Sequence, residues 1–191
     1  ARGVSTGLVV RPGSKMEANW PAGVYFFYNN PRPFCYAYMI PGEWYPLPSG
    51  TLRSKDGRSI ADVTFRPPSE LAGAAGATML ERARNVAVRQ LERDFRQPMV
   101  DVELKPFESA RSGTWLLKAA PVSARDGRLV PFPLYIMVDL SPHTVAEINV
   151  FGTVDDENLA RRIIERLRTS SDPDCYAVDR ERMYKALYGE R

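Results

Sequence analysis

The chain has 191 residues, 44% of them hydrophobic and 26% charged. That balance excludes the disordered and fibrous classes and suits a globular protein able to bury ~70% of its unfolded surface. Its 26 basic and 23 acidic side chains leave a net charge of +3 and are interspersed, so no polybasic arm for nucleic acid or anionic lipid is expected.

The longest apolar runs, such as 131–138, fall far short of the ~20 residues that cross a bilayer as a helix, so no transmembrane segment is expected. Residues 1–33 set Pro12, Gly13, Pro21, Gly23, Pro31 and Pro33 around the aromatic patch Val24-Tyr-Phe-Phe-Tyr28. This reads as a segment laid over the core, with one short strand. The run Phe34-Cys-Tyr-Ala-Tyr-Met-Ile-Pro-Gly-Glu-Trp44 reads as the first core strand, stopped at Pro41-Gly42. Tyr45 to Arg53 and Ile60 to Arg66 flank Lys55-Asp-Gly-Arg58, and Asp-Gly between extended runs predicts a hairpin. Pro67-Pro68 ends that ladder, because proline donates no hydrogen bond.

Thr78-Met-Leu-Glu81 has the form of a capping box. The helix it opens places Leu80, Ala83, Ala87, Leu91 and Phe95 on one face and Arg82, Arg89, Arg93 and Arg96 on the other, and ends near Pro98. Met99 to Lys105 alternates apolar and charged residues as a half-buried strand does. Thr114 to Val122, Phe132 to Leu140 and Leu140 to Phe151, joined through Ala124-Arg-Asp-Gly127 and Ser141-Pro-His-Thr144, predict an antiparallel meander. Thr153-Val-Asp-Asp156 opens a second helix whose stripe Leu159, Ala160, Ile163, Ile164 and Leu167 packs on the sheet. A short terminal helix runs from an Asp179 cap to Tyr188, with Gly189 as its stop. The expected architecture is α+β: a largely antiparallel sheet covered by two amphipathic helices over 34–170, with an aromatic segment at 1–33 and a carboxy-terminal extension at 171–191.

Little in the chain carries catalytic or metal chemistry. His143 is the one histidine and reads as a solvated turn residue without a second ligand at ligand spacing. No Gly-x-Ser-x-Gly elbow and no phosphate loop ending in Gly-Lys-Ser/Thr is present. Gly73-Ala-Ala-Gly76 reads as a lead into a capped helix, and Asp155-Asp-Glu157 as a complement to the second helix dipole. No cofactor and no metal site are expected, and an enzyme of unrecognised type would have to draw on Asp139, Glu147 or His143. Cys35 and Cys175, the two cysteines, fit either one disulfide or two buried thiols of a reducing compartment.

Binding is the better-supported class. Tyr25, Phe26 and Tyr28 offer a partner surface if they stay exposed, and extend the core if they do not. Arg82, Arg89, Arg93 and Arg96 offer a second surface, diluted by Glu81, Glu92 and Asp94. No aromatics interleave with those arginines, which argues against polynucleotide. An aromatic cleft holding a small apolar or anionic molecule is the alternative to a protein partner.

Pro41-Gly-Glu-Trp44 at the end of an early strand, the later strands Pro133 to Leu140 and Ile148 to Phe151, and the helix reaching Ser170 together resemble the PsbP-like family of the Mog/PsbP superfamily over about 34–170. The resemblance implies an α/β/α sandwich and a non-enzymatic binding or assembly role. With an opening Ala1-Arg-Gly3 that suits a mature chain freed of its leader, it sets the expectation of an exported protein, a cytoplasmic one being the alternative.

Overall fold

The computed structural model describes residues 7–15, 17–29, 33–70, 78–121, 134–152, 155–176 and 179–189. The Gly73–Gly76 lead, the Ala124–Gly127 turn and Thr153 lie outside them. In chain order the elements are β1 (Leu8–Val10), β2 (Val24–Tyr28), β3 (Cys35–Ile40), β4 (Trp44–Pro46), β5 (Leu52–Ser54), β6 (Ile60–Arg66), α1 (Met79–Phe95), β7 (Met99–Pro106), β8 (Thr114–Pro121), β9 (Leu134–Ser141), β10 (Thr144–Phe151), α2 (Asp156–Glu165), β11 (Arg168–Ser170) and α3 (Arg180–Tyr188). The fold is α+β with antiparallel strands, and strand outweighs helix. The chain divides into two compact units, Ala1–Asp62 with Gly152–Arg191, and Val63–Phe151.

In the first unit β1-β2-β3-β11 form one antiparallel sheet. Strands β2 and β3 are buried almost throughout, which is why both read as continuous apolar and aromatic runs without polar alternation. Tyr25, Phe27, Cys35, Ala37 and Met39 pack with Trp20 and with Met183, Leu187 and Tyr188 of α3. At roughly 1.5–3 kcal/mol for each large side chain taken from water, this aromatic layer is a main source of the unit's stability. Helix α3 starts where expected, with the Asp179 carboxylate accepting the Glu181 N–H at 3.0 Å. Helix α2 packs against β3 and buries Ala160, Ile163 and Ile164, all members of the predicted stripe.

Residues 1–33 depart from the expectation of one short strand, since both β1 and β2 are members of this sheet. Strand β11 also goes beyond the sequence reading, which ran the second helix to Ser170. The helix stops at Glu165, and Arg168–Ser170 pair with Ala37, Tyr36 and Cys35. A bond between Cys35 and Cys175, whose Cα atoms lie 6.1 Å apart, then ties β3 to the single-turn helix Pro173–Tyr176 across 140 residues.

Pro41-Gly-Glu-Trp44 forms a turn with Gly42 at φ +91°, and the Trp44 indole N–H donates to the Pro41 carbonyl at 2.9 Å. A left-handed φ of this kind favours glycine. The strand expected over Tyr45 to Arg53 is instead β4 and β5 separated by a turn. Pro46 and Pro48 have no N–H for a ladder, and Leu47 N–H to Thr51 O and Gly50 N–H to Leu47 O, at 2.8 and 2.9 Å, close the turn between them. The hairpin at Asp56-Gly57 is present, with Leu52 opposite Ala61.

In the second unit the ladder order is β6-β10-β9-β8-β7. The Thr78 capping box forms in both directions, at 3.2 and 3.0 Å. Ala83, Ala87 and Leu91 of α1 pack on Leu117, Tyr135, Met137 and Val145, the face the helical period selects. Strands β8, β9 and β10 make the expected meander, with Glu147 opposite Met137. Strand β7 is not continuous: its register shifts between Val100 and Glu103, where Asp101 takes φ +51° as a bulge.

Candidate functional site

An arginine and aromatic cluster in the first unit has the most unusual chemistry among the described residues. Arg166 caps the carboxy-terminal end of α2 and Arg168 opens β11, on either side of the buried Leu167, and both side chains reach the Tyr188 ring. That ring belongs to α3. The Arg166 guanidinium carbon lies 4.1 Å from the Tyr188 ring centre and within 6.0 Å of the Tyr184 and Tyr25 rings. Arg168 approaches the same Tyr188 ring at 5.3 Å. Each such contact is worth roughly 0.5–2 kcal/mol, more where water is removed.

Hydrogen bonds fix both cations. Arg166 Nη2 donates to the Tyr184 hydroxyl at 2.7 Å, and the Tyr188 hydroxyl donates to the Arg166 carbonyl at 2.6 Å. Arg168 Nη1 donates to the carbonyls of Glu165 and Leu167 at 2.9 and 2.7 Å. Neither guanidinium pairs with a carboxylate among the described residues, although Arg180, Arg182 and Lys185 nearby each do, with Glu17, Asp174 and Glu181. Burial, and then the charge of Arg166, hold Arg168 below the usual arginine value against the opposing phenols of Tyr188 and Tyr184. Two positive charges therefore share a half-buried place whose neighbours are rings, hydroxyls and carbonyls.

The rings are themselves locked. Trp20 stacks on Tyr184 with centres 4.0 Å apart and planes 10° from parallel, and Tyr25 donates to Pro21 O at 2.7 Å. Burial pushes the Tyr25 phenol up to about 12, with Tyr184 adding to the rise and Arg166 opposing it. Glu17 holds the amino-terminal loop against α3. Burial alone would raise its carboxyl, but the Gly13 N–H, the Arg180 guanidinium and the Ser14 backbone together hold it below the usual glutamate value.

In the second unit, Arg89 and Arg93 are exposed and, with Val86 and Glu92, line an open groove of about 520 Å³ on α1. Arg96 is also exposed and closes the helix in the left-handed conformation, whereas Arg82 is half-buried. Glu92 is anchored through Met99 N–H at 3.2 Å. On the sheet, the buried Glu147 pairs with Arg66, and the Tyr135 hydroxyl beside it is raised by its own burial first and then by the Glu147 charge. Removing either partner would leave the other charge buried and uncompensated, which is costly.

The sequence-derived candidates thus separate. Tyr25 and Phe26 are core, 0% and 2% exposed, because β2 lies inside a sheet and not at its margin, while Tyr28 is half-buried. Of the residues an enzyme would draw on, Glu147 turns to Arg66, and Asp139 and His143 are exposed at the turn end of the β9–β10 hairpin. Cys35 and Cys175 are bonded. Sequence reasoning missed Arg166 and Arg168, because it ran the second helix on to Ser170. No local pattern marked them, because the site depends on α2 stopping at Glu165 and on β11 pairing with β3. Among known proteins, no family model, no curated protein and no solved structure matches the chain.

Proposed function

We propose that the chain is an exported, non-catalytic binding domain of the PsbP-like type, and that it engages a protein partner at the surface formed by Arg166, Arg168 and Tyr184. The observation that carries this reading is the pair of guanidiniums fixed over aromatic rings with no carboxylate partner among the described residues. Arginine and tyrosine in such a setting are the residue types that dominate protein interfaces, and a desolvated cation gains most from a partner that supplies the missing charge.

Export is supported by the Cys35–Cys175 bond, since disulfides persist in oxidising compartments and are rare in the cytosol. No helix among the described residues is long and apolar enough to cross a membrane. The PsbP-like type is supported by the Pro41–Trp44 turn after an early strand and by the β8–β10 meander. A role without catalysis is supported by the pairing of Glu147 with Arg66 and by the exposure of the lone His143.

The test is an affinity pull-down from the envelope and soluble fractions of the source cell, with the purified oxidised domain as bait and mass spectrometry as readout. One stoichiometric protein is the expected result. A bait that returns clean from both fractions would overturn the protein-binding reading and favour a small-molecule carrier.

A further inference from the structure

We infer that Arg166 and Arg168 form a carboxylate-binding site, filled by an acidic side chain of the protein partner. The inference rests on the protein-binding reading above and names the group that the partner brings.

Charge comes first. Arg168, the first residue of β11, reaches back to the last carbonyl of α2, that of Glu165, and to the Leu167 carbonyl beyond it. A helix end of this kind supplies at most about −0.5 charge, so roughly +1.5 of the two guanidiniums is left without compensation. Ring faces hold the cations in place but do not neutralise them. Arg180, Arg182 and Lys185, on the neighbouring helix, are each matched by an acid, whereas residues 166 and 168 have no carboxylate partner among the described residues.

Geometry then selects the kind of anion. Part of each donor set is already spent, Arg166 on the Tyr184 hydroxyl and Arg168 on two carbonyls. What is left suits a planar, singly charged acceptor bound through one or two N–H donors. A phosphate dianion is best held by backbone N–H groups at a helix start. Here the nearby helix presents its carbonyl end, which opposes a dianion more strongly than a singly charged carboxylate. Trp20 stacked on Tyr184 holds in place the ring whose hydroxyl accepts from Arg166, so the site is formed before any ligand arrives.

The test uses the oxidised full chain and fluorescence anisotropy at constant ionic strength, with a labelled glutamate-rich peptide as probe and succinate and inorganic phosphate as competitors. Saturable peptide binding is expected, weakened about tenfold or more by Arg168→Gln, as suits the loss of a charge-assisted hydrogen bond. Arg168→Lys should recover part of it, and Arg162→Gln, at an exposed position on α2, should leave it unchanged. Competition by succinate but not phosphate supports the carboxylate assignment, and stronger competition by phosphate overturns it. Equal binding by wild type and Arg168→Gln, or no binding of the peptide by wild type at millimolar concentration, also overturns it. Arg166→Gln, checked for folding by circular dichroism, repeats the test from the other cation. If the cellular partner is captured equally well by Arg168→Gln, this inference falls while the protein-binding reading stands; if wild type captures nothing, the reading itself falls.

Discussion

Arginines on α1 and arginines around β11 carry the same charge, but their surroundings make them physically different. Arg89, Arg93 and Arg96 are exposed on a helix that also presents Glu81 and Glu92. Water and salt screen each of them, and a contact made there is worth roughly 0–1 kcal/mol. Arg166 and Arg168 are half-buried, bound to ring faces and carbonyls, and close enough for one to depress the other. Charge density along the sequence points to α1, whereas desolvation points to β11. Interfaces are governed by the second quantity more than the first.

The largest way to disturb this contrast is to cut the tie that holds α3 over the aromatic layer. The bond between Cys35 and Cys175 closes a loop of 140 residues, and loop-closure entropy puts its contribution at about 5 kcal/mol. Cys35→Ser with Cys175→Ser should lower the urea midpoint by a corresponding amount, while leaving the α1 capping box in the second unit unaffected. An unchanged midpoint would mean that the aromatic layer holds without the bond.

Next in size is the contrast between core and surface aromatics. Tyr25→Ala is expected to destabilise the fold by about 3–5 kcal/mol, because the ring is wholly buried. Tyr45→Ala, at 46% exposure, should change stability by about 0.5 kcal/mol or less. Equal losses measured by chemical unfolding would contradict the burial described for β2.

A pH series sharpens the same point. Tyr25 is raised from 10.0 to about 12, by burial first. A folded value above the unfolded one means that its stabilisation is complete below pH 10 and is lost as pH rises from 10 toward about 12. The unfolding midpoint should therefore fall over that window, and less steeply in Tyr25→Phe. Glu17 behaves oppositely. Its lowered carboxyl stabilises above the usual glutamate range and loses that contribution as pH falls through its folded value. The smallest expected effect is Arg89→Ala, within about 0.5 kcal/mol of wild type.

What was legible in the sequence is what local chemistry decides. The Thr78 capping box, the alternation of Ala83, Ala87 and Leu91, the Asp179 cap and the Asp56-Gly57 hairpin are each set within a few residues, and each is present. The meander was legible because its strands follow one another. Strand β11 was not, because its three residues take their meaning from β3. Thr169 donates to the Cys35 carbonyl across 134 residues, and no periodicity in Arg-Thr-Ser announces that pairing. The site at Arg166 and Arg168 was hidden for the same reason. On a continued helix, residues two apart diverge; ending the helix at Glu165 and turning through Arg166 and Leu167 into β11 is what brings both guanidiniums to the Tyr188 ring. The placement of Tyr25 and Phe26 was ambiguous for another reason: an aromatic run looks the same in a core strand and at a margin.

The central claim is that desolvated arginines, and not exposed ones, form the contact surface. Its most direct test is a side-by-side capture of the cellular partner by oxidised wild type, Arg168→Gln and Arg89→Gln, each first shown to be folded. The account predicts that Arg168→Gln loses the partner and Arg89→Gln keeps it. Loss with Arg89→Gln and retention with Arg168→Gln would place the contact on α1 and contradict the account.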